Sequence, residues 1–417
     1  MIMKDTVTVS VIIAAYNDAD YIEECLDSIF SQTLKNIEVI VVDDGSEDET
    51  HIILIEYQRK YSRMIIISQS NTGAGIARNR AMKLASGKYL AFMDADDRYP
   101  CEDSIEKLYD AAETNSALLC GGNMLYNNNG IISNRYIAGQ GDKRHSQNKF
   151  ISKDEYYEMY GHTRYLYSTD MIRDNKIEFA PYRVFEDQIL TICAINAAGK
   201  IFELDYPVYE HRVRYKIREY DDRSCLDLAK GVCDTFDSMI KFGMKEMFFV
   251  NYDKCMSWVM PLIARHIDMD VPEWKTTIDT LNNLIATSGW VKADAVPTKE
   301  KITELRSVID TERKRINEMI SDNKGVILYG AGYNTELFLK RFAINKPNIV
   351  GIAVSSKDDA VEELNGIQIK AISDYAEHRN DIPIIITPNK KYRVDIENTL
   401  ISLGFKNYTW VDMNLLA

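Results

Sequence analysis

Short runs of β-branched residues alternate with stretches of helical periodicity through the first hundred residues of the chain. Residues 7–14 and 37–42 are typical of buried strands, and residues 64–67 and 89–93 are shorter runs of the same kind. Helical stretches separate these runs, which favours right-handed crossovers and a mainly parallel sheet. The pattern therefore predicts an α/β fold that begins with a doubly wound sheet.

The composition supports folded domains and excludes several classes of protein. The chain has 417 residues, 46% of them hydrophobic, so we expect two or three domains. A formal net charge of −13 disfavours a broad attraction for nucleic acid, and no nucleic-acid partner is expected. The seven cysteines form no C-x-x-C pair, which disfavours a disulfide framework or a zinc site. The sequence shows neither a signal peptide nor a run of about 18 apolar residues, so we expect a cytoplasmic protein.

The chain changes character after its first half. Residues 225–322 include stretches of helical spacing, which predicts a helical spacer. From Gly325 onward, short apolar runs alternate with helical stretches again, so a second, smaller α/β domain is expected over residues 323–417. The first α/β domain is then expected to span residues 1–224.

Three of the expected strands end in polar or acidic residues. Tyr16 follows the first strand, Asp43 and Asp44 follow the second, and an acidic triplet at 94–96 follows the fourth. Ligands of open parallel sheets gather at the carboxyl ends of the strands. These side chains are therefore predicted to line one cleft.

The acidic residues and a nearby arginine indicate the chemistry of this cleft. Asp94 and Asp96 stand one residue apart, so both carboxylates project to the same side, and such oxygen ligands suit Mg²⁺ or Mn²⁺. Asp43 and Asp44 could accept a hydrogen bond from a base or ribose, and Arg78 could reach a phosphate or the base. The plainer alternatives are a solvated acidic turn, a helix N-cap and a surface ion pair.

Four segments follow one another through the first hundred residues: SVIIAAYN, VIVVDDGSEDET, NTGAGIARNRAM and GKYLAFMDADD. Together they resemble the GT-A glycosyltransferases of family 2, a family that commonly carries Pro where Ala14 or Ala15 stands here. The resemblance covers about the first half of the chain and implies a GT-A catalytic domain over residues 1–224. It also implies a nucleotide-sugar donor, a divalent cation (Mn²⁺ or Mg²⁺) and inversion at the anomeric carbon.

The resemblance also assigns roles to residues of the cleft. Asp43 or Asp44 would contact the base, Asp94 the ribose side and Asp96 the metal. The expected donor-binding residues are Ala14, Tyr16, Asp43, Asp44, Arg78, Asp94, Ala95, Arg212 and Arg214, and the expected metal ligands are Asp94, Asp96 and His211.

A later segment, RVFEDQILTICAINAAGKIFELDYPVYEHRVR, resembles the acceptor-side motif of the same family, in which a Glu-Asp pair opens a helix. An inverting displacement needs a base for the acceptor hydroxyl, so Asp187 is the predicted base, with Glu186 beside it. His211 is a predicted metal ligand, and Arg212 or Arg214 a predicted diphosphate clamp. Capping roles for the carboxylates and a structural role for the histidine are the alternatives.

The second α/β unit carries part of a dinucleotide fingerprint. Gly330 and Gly332 follow its first strand, but Thr335 stands where a third glycine would be expected. The unit resembles the small Rossmann-like, nucleotide-binding-like domains appended to bacterial polysaccharide enzymes. We favour a scaffold or oligomerisation role over NAD binding, with a nucleotide or sugar phosphate as the alternative ligand.

These observations predict an inverting, metal-dependent glycosyltransferase of surface polysaccharide synthesis. The expected partners are a nucleotide-sugar donor, with UDP-sugars favoured, and a glycan or lipid-linked acceptor. Peripheral association with the inner face of the cell membrane, and a homo-oligomer through the helical or C-terminal region, are compatible with the sequence. The alternatives are a non-catalytic nucleotide-sugar binding protein and a sugar-phosphate nucleotidyltransferase, although SVIIAAYNDAD lacks the Gly-rich loop and Lys that the latter needs.

Overall fold

The computed structural model describes residues 6–128, 130–133, 148–213, 220–292, 295–321, 324–342, 348–355, 362–388 and 392–416. The chain forms two compact units. The first contains the described residues of Met1–Arg214, Tyr220–Tyr252 and Asp270–Val296, and the second those of Asp253–Met269 and Pro297–Ala417. The domain boundaries expected at residues 224 and 322 stay predictions.

The first unit is built on a mixed sheet. In the described part of the chain its strands are β1 (Val9–Ala15), β2 (Ile37–Asp43), β3 (Met64–Ser68), β4 (Tyr89–Asp94), β5 (Leu119–Asn128), β6 (Ile131–Ser133), β7 (Lys149–Ser152), β8 (Tyr165–Ser168) and β9 (Lys200–Arg212). They lie in the order β3-β2-β1-β4-β8-β5-β9-β7, and β6 pairs with β5. Strands β3, β2, β1 and β4 pair in parallel, as do β5 and β9. The other pairs are antiparallel.

The parallel half of this sheet confirms the expected α/β class. Its four strands coincide with the four β-branched runs of the sequence, and every residue of β2 is buried. Such complete burial follows from helices that cover both faces of a parallel sheet. The antiparallel strands extend the sheet beyond what the alternation of strand and helix predicts.

Helices connect the strands and supply the apolar faces of the core. The helices are α1 (Ile22–Phe30), α2 (Thr50–Lys60), α3 (Ala74–Met82), α4 (Ser104–Asn115), α5 (Thr169–Asp174), α6 (Asp187–Ala198), α7 (Asp222–Lys241), α8 (Lys245–Lys254), α9 (Met260–His266), α10 (Pro272–Ser288), α11 (Lys299–Ser321), α12 (Tyr333–Phe342), α13 (Arg393–Ser402) and α14 (Met413–Leu416). In α1 the buried side chains recur every three or four residues, so one face packs on the sheet. No helix among the described residues is both long enough and apolar enough to cross a membrane.

The second unit contains a smaller sheet. Its strands are β10 (Val326–Tyr329), β11 (Ile349–Val354), β12 (Glu363–Leu364), β13 (Ile367–Ala371), β14 (Ile384–Ile386) and β15 (Tyr408–Trp410). They lie in the order β12-β13-β11-β10-β14-β15, and all pairs except β12–β13 are parallel. The chain order reverses at β10, as in doubly wound sheets. The likeness of this unit to appended nucleotide-binding-like domains stays a prediction.

Candidate active site

The register of the parallel strands brings the predicted residues to one edge of the sheet. Ala15 of β1 lies opposite Asp43 of β2, and Ala14 lies opposite Asp94 of β4. Asp43 and Asp94 therefore flank the end of β1 from its two sides. Tyr16, the next residue of the chain, is 45% exposed and stands at the mouth of this edge.

Asp43 and Asp44 are both buried and both bind the backbone around them. Asp43 Oδ1 accepts from the Ser46 N–H at 3.0 Å, and Asp43 Oδ2 lies 2.8 Å from His51 Nδ1. Asp44 accepts from the N–H groups of the loop before α3, at 2.9 Å from Thr72 and 2.8 Å from Gly73. The two carboxylates thus fix the turn after β2 and the approach to α3. Neither aspartate has the alternative role of an N-cap for the next helix, because the N-cap residue of α2 is Glu49.

Arg78 on α3 is buried and joins two parts of the site. Its Nη2 lies 2.6 Å from Asp94 Oδ1, and its Nη1 lies 3.1 Å from Glu186 Oε1. Only 5% of Arg78 is exposed, which excludes the surface ion pair considered as its alternative. Arg78 therefore links the end of β4 to the start of α6.

The electrostatics of this cluster follow from burial and from Arg78. Burial alone would raise the pKa of Asp94, but the Arg78 guanidinium holds that pKa below its usual range. Burial and the neighbouring Asp187 charge raise the pKa of Glu186, and Arg78 offsets only part of this effect. The site thus contains two carboxyl groups whose pKa values are shifted in opposite directions.

A close approach of α3 to the Glu186 segment makes the Arg78 bridge possible. A Cβ on Gly75 would lie 2.7 Å from the Ala180 carbonyl oxygen and 3.0 Å from Glu186 Cγ. Only glycine fits such a contact without displacing the backbone. Phe185, directly before Glu186 in the chain, has φ = +66°. This is a strained conformation for a bulky residue, and such strain often marks functional sites.

Glu186 and Asp187 open a helix as the sequence predicts. Glu186 is the N-cap residue of α6 and Asp187 is its first residue, with no side-chain capping hydrogen bond from Glu186. Asp187 Oδ2 lies 3.0 Å from His162 Nδ1. His162 was not predicted from the sequence, because a single histidine in a stretch of aromatic residues carries no motif.

Asp97 organises the residues that follow the Asp94–Asp96 triplet. It is 1% exposed and accepts from Tyr209 Oη at 2.7 Å and from the Arg212 N–H at 2.7 Å, and its Oδ2 lies 3.0 Å from His211 Nδ1. Burial would lower the pKa of His211, but the hydrogen bond and charge of Asp97 raise it to about 9. The alternation of Tyr209 and His211 on β9 was the available signal that both point to one side.

The residues present fit a divalent cation in kind but supply few ligands. Asp94 and Asp96 are half-buried, and Ala95 between them is buried. His211 binds Asp97 through Nδ1 and keeps Nε2 available, the arrangement in which a carboxylate orients a metal-binding histidine. The described residues contain no cluster of three His, Cys, Asp or Glu side chains arranged to hold a metal ion. Further ligands would have to come from a bound diphosphate.

Arg212 and Arg214 are the two arginines predicted to clamp the diphosphate. Arg212 Nε donates to the Asp96 carbonyl at 3.0 Å, and its terminal nitrogen pairs with Glu24. Arg212 therefore braces the turn after β4. Arg214 lies outside the described residues, so its predicted role stays a prediction.

Comparison with known proteins finds relatives for the first part of the chain. Residues 10–176 match the model of glycosyl transferase family 2. The Bacillus subtilis protein EpsJ, an uncharacterised glycosyltransferase, is 31% identical over 215 residues, which are 49% of this chain and 60% of EpsJ. The poly(ribitol-phosphate) β-glucosyltransferase of Bacillus spizizenii is 31% identical over 208 residues, which are 48% of this chain and 32% of that protein. The matches thus span less than two thirds of these relatives.

A solved structure shares the fold. S. aureus TarS residues 1–349, crystallised with UDP-GlcNAc, superposes with a TM-score of 0.54 at 20% identity, over 74% of this chain and 92% of TarS 1–349. This likeness confirms the expected GT-A type of α/β fold. The family match is limited to residues 10–176 of the first unit, and the likeness to TarS shows the fold alone.

Proposed function

We propose that the protein is an inverting, metal-dependent glycosyltransferase of surface polysaccharide synthesis that acts in the cytoplasm or at the inner face of the cell membrane. It transfers a sugar from a nucleotide-sugar to a hydroxyl of a glycan or lipid-linked acceptor. The observation that carries this proposal is the Arg78 bridge between Asp94 and Glu186. The bridge holds the donor-side strand end next to the carboxylate pair predicted for the acceptor side.

The donor side is proposed from the edge formed by β1, β2 and β4. Exposed Tyr16 offers a face for a base, and Asp43 and Asp44, held at this edge by their backbone contacts, are the carboxylates proposed to contact the base. We favour a uridine nucleotide because TarS, which shares the fold, was crystallised with UDP-GlcNAc. The imide of uracil also suits an acidic partner.

Asp94, Asp96 and His211 are the residues that we propose to hold Mn²⁺ or Mg²⁺. When bound, the ion neutralises the charge that develops on the diphosphate leaving group. Asp97 orients His211, and Arg212 keeps the Asp96 turn in place through the carbonyl contact at 3.0 Å. This acidic cleft would repel an anionic donor without such a cation.

Asp187 is the proposed base. It takes the proton of the acceptor hydroxyl while that oxygen attacks the anomeric carbon and the diphosphate leaves with the bonding electron pair. Glu186 forms an ion pair with Arg78, and burial and the charge of Asp187 raise the pKa of Glu186. We therefore propose that Glu186 holds Arg78 and that Asp187 accepts the proton. The acceptor site must therefore hold the acceptor hydroxyl close to Asp187.

The second unit is proposed as a scaffold or oligomerisation unit. Thr335 occupies the position of the missing third glycine and is 1% exposed. Its hydroxyl contacts the Gly330 carbonyl at 2.8 Å and the Thr387 hydroxyl at 2.6 Å, where the third glycine of the fingerprint would allow the helix to pack closely on the strand. These contacts favour a structural role over NAD binding.

The test combines binding and turnover with the full chain. UDP-, GDP-, CDP- and dTDP-sugars are screened by thermal shift with Mn²⁺ and again with EDTA, since a bound donor stabilises the fold by mass action. We expect a UDP-sugar to raise the Tm with Mn²⁺ and to release UDP in the presence of acceptor. Binding without turnover across acceptors would favour the non-catalytic alternative, and pyrophosphate release from a nucleoside triphosphate and a sugar phosphate would favour the nucleotidyltransferase.

A further inference from the structure

His162 forms a buried pair with the predicted base. It begins a 3₁₀ turn at His162–Arg164 and is 5% exposed. Its Nδ1 lies 3.0 Å from Asp187 Oδ2, although the two residues are 25 positions apart in the chain. The contact is therefore a product of the tertiary fold and not of the helix that Asp187 opens.

The surroundings of His162 hold its ring in one orientation. The ring centroid lies 5.9 Å from that of Phe92 and 5.5 Å from that of Phe179. The Tyr167 hydroxyl donates to the His162 carbonyl oxygen at 2.8 Å. On the far side of the ring, Nε2 is buried and has no hydrogen-bond partner among the described residues. Only Nδ1 therefore makes a directed contact.

The contact with Asp187 fixes which atom donates. An ionised Asp187 can only accept, so the proton of the shared hydrogen bond belongs to Nδ1 of His162. A donor at Nε2 would find no acceptor among the described residues. The charged groups close to the pair are Arg78 on α3, Asp94 at the end of β4 and Glu186 before α6, and Arg78 is already committed to the two carboxylates.

We propose that His162 is a positioning residue for Asp187, an inference that rests on the proposed glycosyl transfer. The Nδ1–H of His162 donates to Asp187 Oδ2 and fixes the carboxylate, which leaves Oδ1 to receive the acceptor proton. In that step the acceptor O–H bond breaks, the bond from oxygen to the anomeric carbon forms, and the bond to the diphosphate breaks with its electron pair on the diphosphate. His162 keeps its proton throughout.

Two variants separate positioning from packing. In H162N the side-chain amide N–H stands near the position of Nδ1, whereas H162L fills similar volume without a donor. We expect H162L to lower kcat about tenfold to a hundredfold, less than the loss of a general base itself would, and to leave the donor KM and UDP affinity within about twofold. H162N recovers most of kcat.

Ring-nitrogen NMR of ¹⁵N-histidine-labelled full-length protein tests the pair without any turnover. We expect a hydrogen-bonded proton on Nδ1 of His162, whose signal changes in D187A and is unchanged in D170A, which alters an exposed acidic residue in the first turn of α5. A wild-type His162 without a proton on Nδ1 would overturn the proposal, as would an H162L variant with wild-type kcat. Loss of UDP binding in H162L together with kcat would also overturn it, because the role would then be structural. A wild-type protein that transfers no sugar would instead contradict the proposed function.

Discussion

Arg78 Nη1 lies 3.1 Å from Glu186 Oε1, across 108 residues of chain, and neither residue is on the surface. The same guanidinium contacts Asp94, so three charged side chains from three elements share one buried cluster. Removal of one of these side chains leaves the charges of the others uncompensated. The resulting loss of stability is larger than the net stabilisation that the intact cluster provides. This cluster is the structural centre of the site.

Replacement of Arg78 is expected to destabilise the fold. R78A leaves the half-buried carboxylates of Asp94 and Glu186 without their cation, and we expect a loss of about 1–3 kcal/mol in the free energy of unfolding. Urea unfolding at pH 7 measures this loss. R80A is the matched control, since Arg80 lies on the same helix and is exposed, and its loss should stay below about 0.5 kcal/mol. Equal losses in the two variants would contradict the role of the Arg78 cluster.

The raised pKa of Glu186 gives a pH signature in stability. Because its folded pKa lies above the unfolded value, its stabilising contribution is present below the unfolded pKa and is lost as pH rises through the folded pKa. E186Q mimics the protonated form, so its stability relative to wild type should increase as pH rises above the ordinary glutamate pKa. E178Q, which removes an exposed carboxylate, is the control for the loss of a surface charge. A flat difference for E186Q would contradict this prediction.

Asp97 is expected to control the protonation of His211. In D97N the hydrogen bond and charge that raise the pKa of His211 to about 9 are lost, and burial should bring that pKa to its ordinary value or below. Histidine NMR titration measures the change. In the wild type the Asp97–His211 pair stabilises the fold fully below the unfolded histidine pKa, and this contribution is lost as pH rises through about 9. D110N, at an exposed position on α4, should leave the His211 titration unchanged.

Gly75 is expected to be intolerant of a methyl group. G75A would bring Cβ to 2.7 Å from the Ala180 carbonyl, and either α3 or the segment that carries Glu186 would have to move. We expect a loss of about 1–3 kcal/mol, as for other overpacked sites, together with a lower kcat. At Gly332 a Cβ meets nothing within 4 Å, so G332A should show neither effect. Thermal unfolding and initial rates measure both variants.

The parallel half of the fold was predictable, because β-branched runs and helical spacing depend on neighbours in the sequence. The same holds for the start of α6 at Asp187, where a Glu-Asp pair opens the helix. The Arg78–Glu186 bridge was not predictable, since it depends on how closely α3 approaches the segment before α6. His162 was missed for the same reason: its partner is brought to it only by tertiary packing.

Asp97 was predictable in its position but not in its contacts. It follows Asp96 directly, so its place at the end of β4 is predictable from the sequence. Its three contacts to Tyr209, His211 and Arg212 come from β9, more than 110 residues later in the chain. The period of two on a strand would have indicated that Tyr209 and His211 share a face, but not that Asp97 faces them.

The most direct test of the account compares D187N with D170N. Both remove a carboxylate in the first turn of a helix, but only Asp187 is the proposed base. Sugar transfer from the donor identified by thermal shift is measured with Mn²⁺, and UDP affinity is measured by titration calorimetry. We predict that D187N loses at least about a hundredfold in kcat, with UDP affinity unchanged, and that D170N retains both. A D187N protein with wild-type turnover would contradict the central claim.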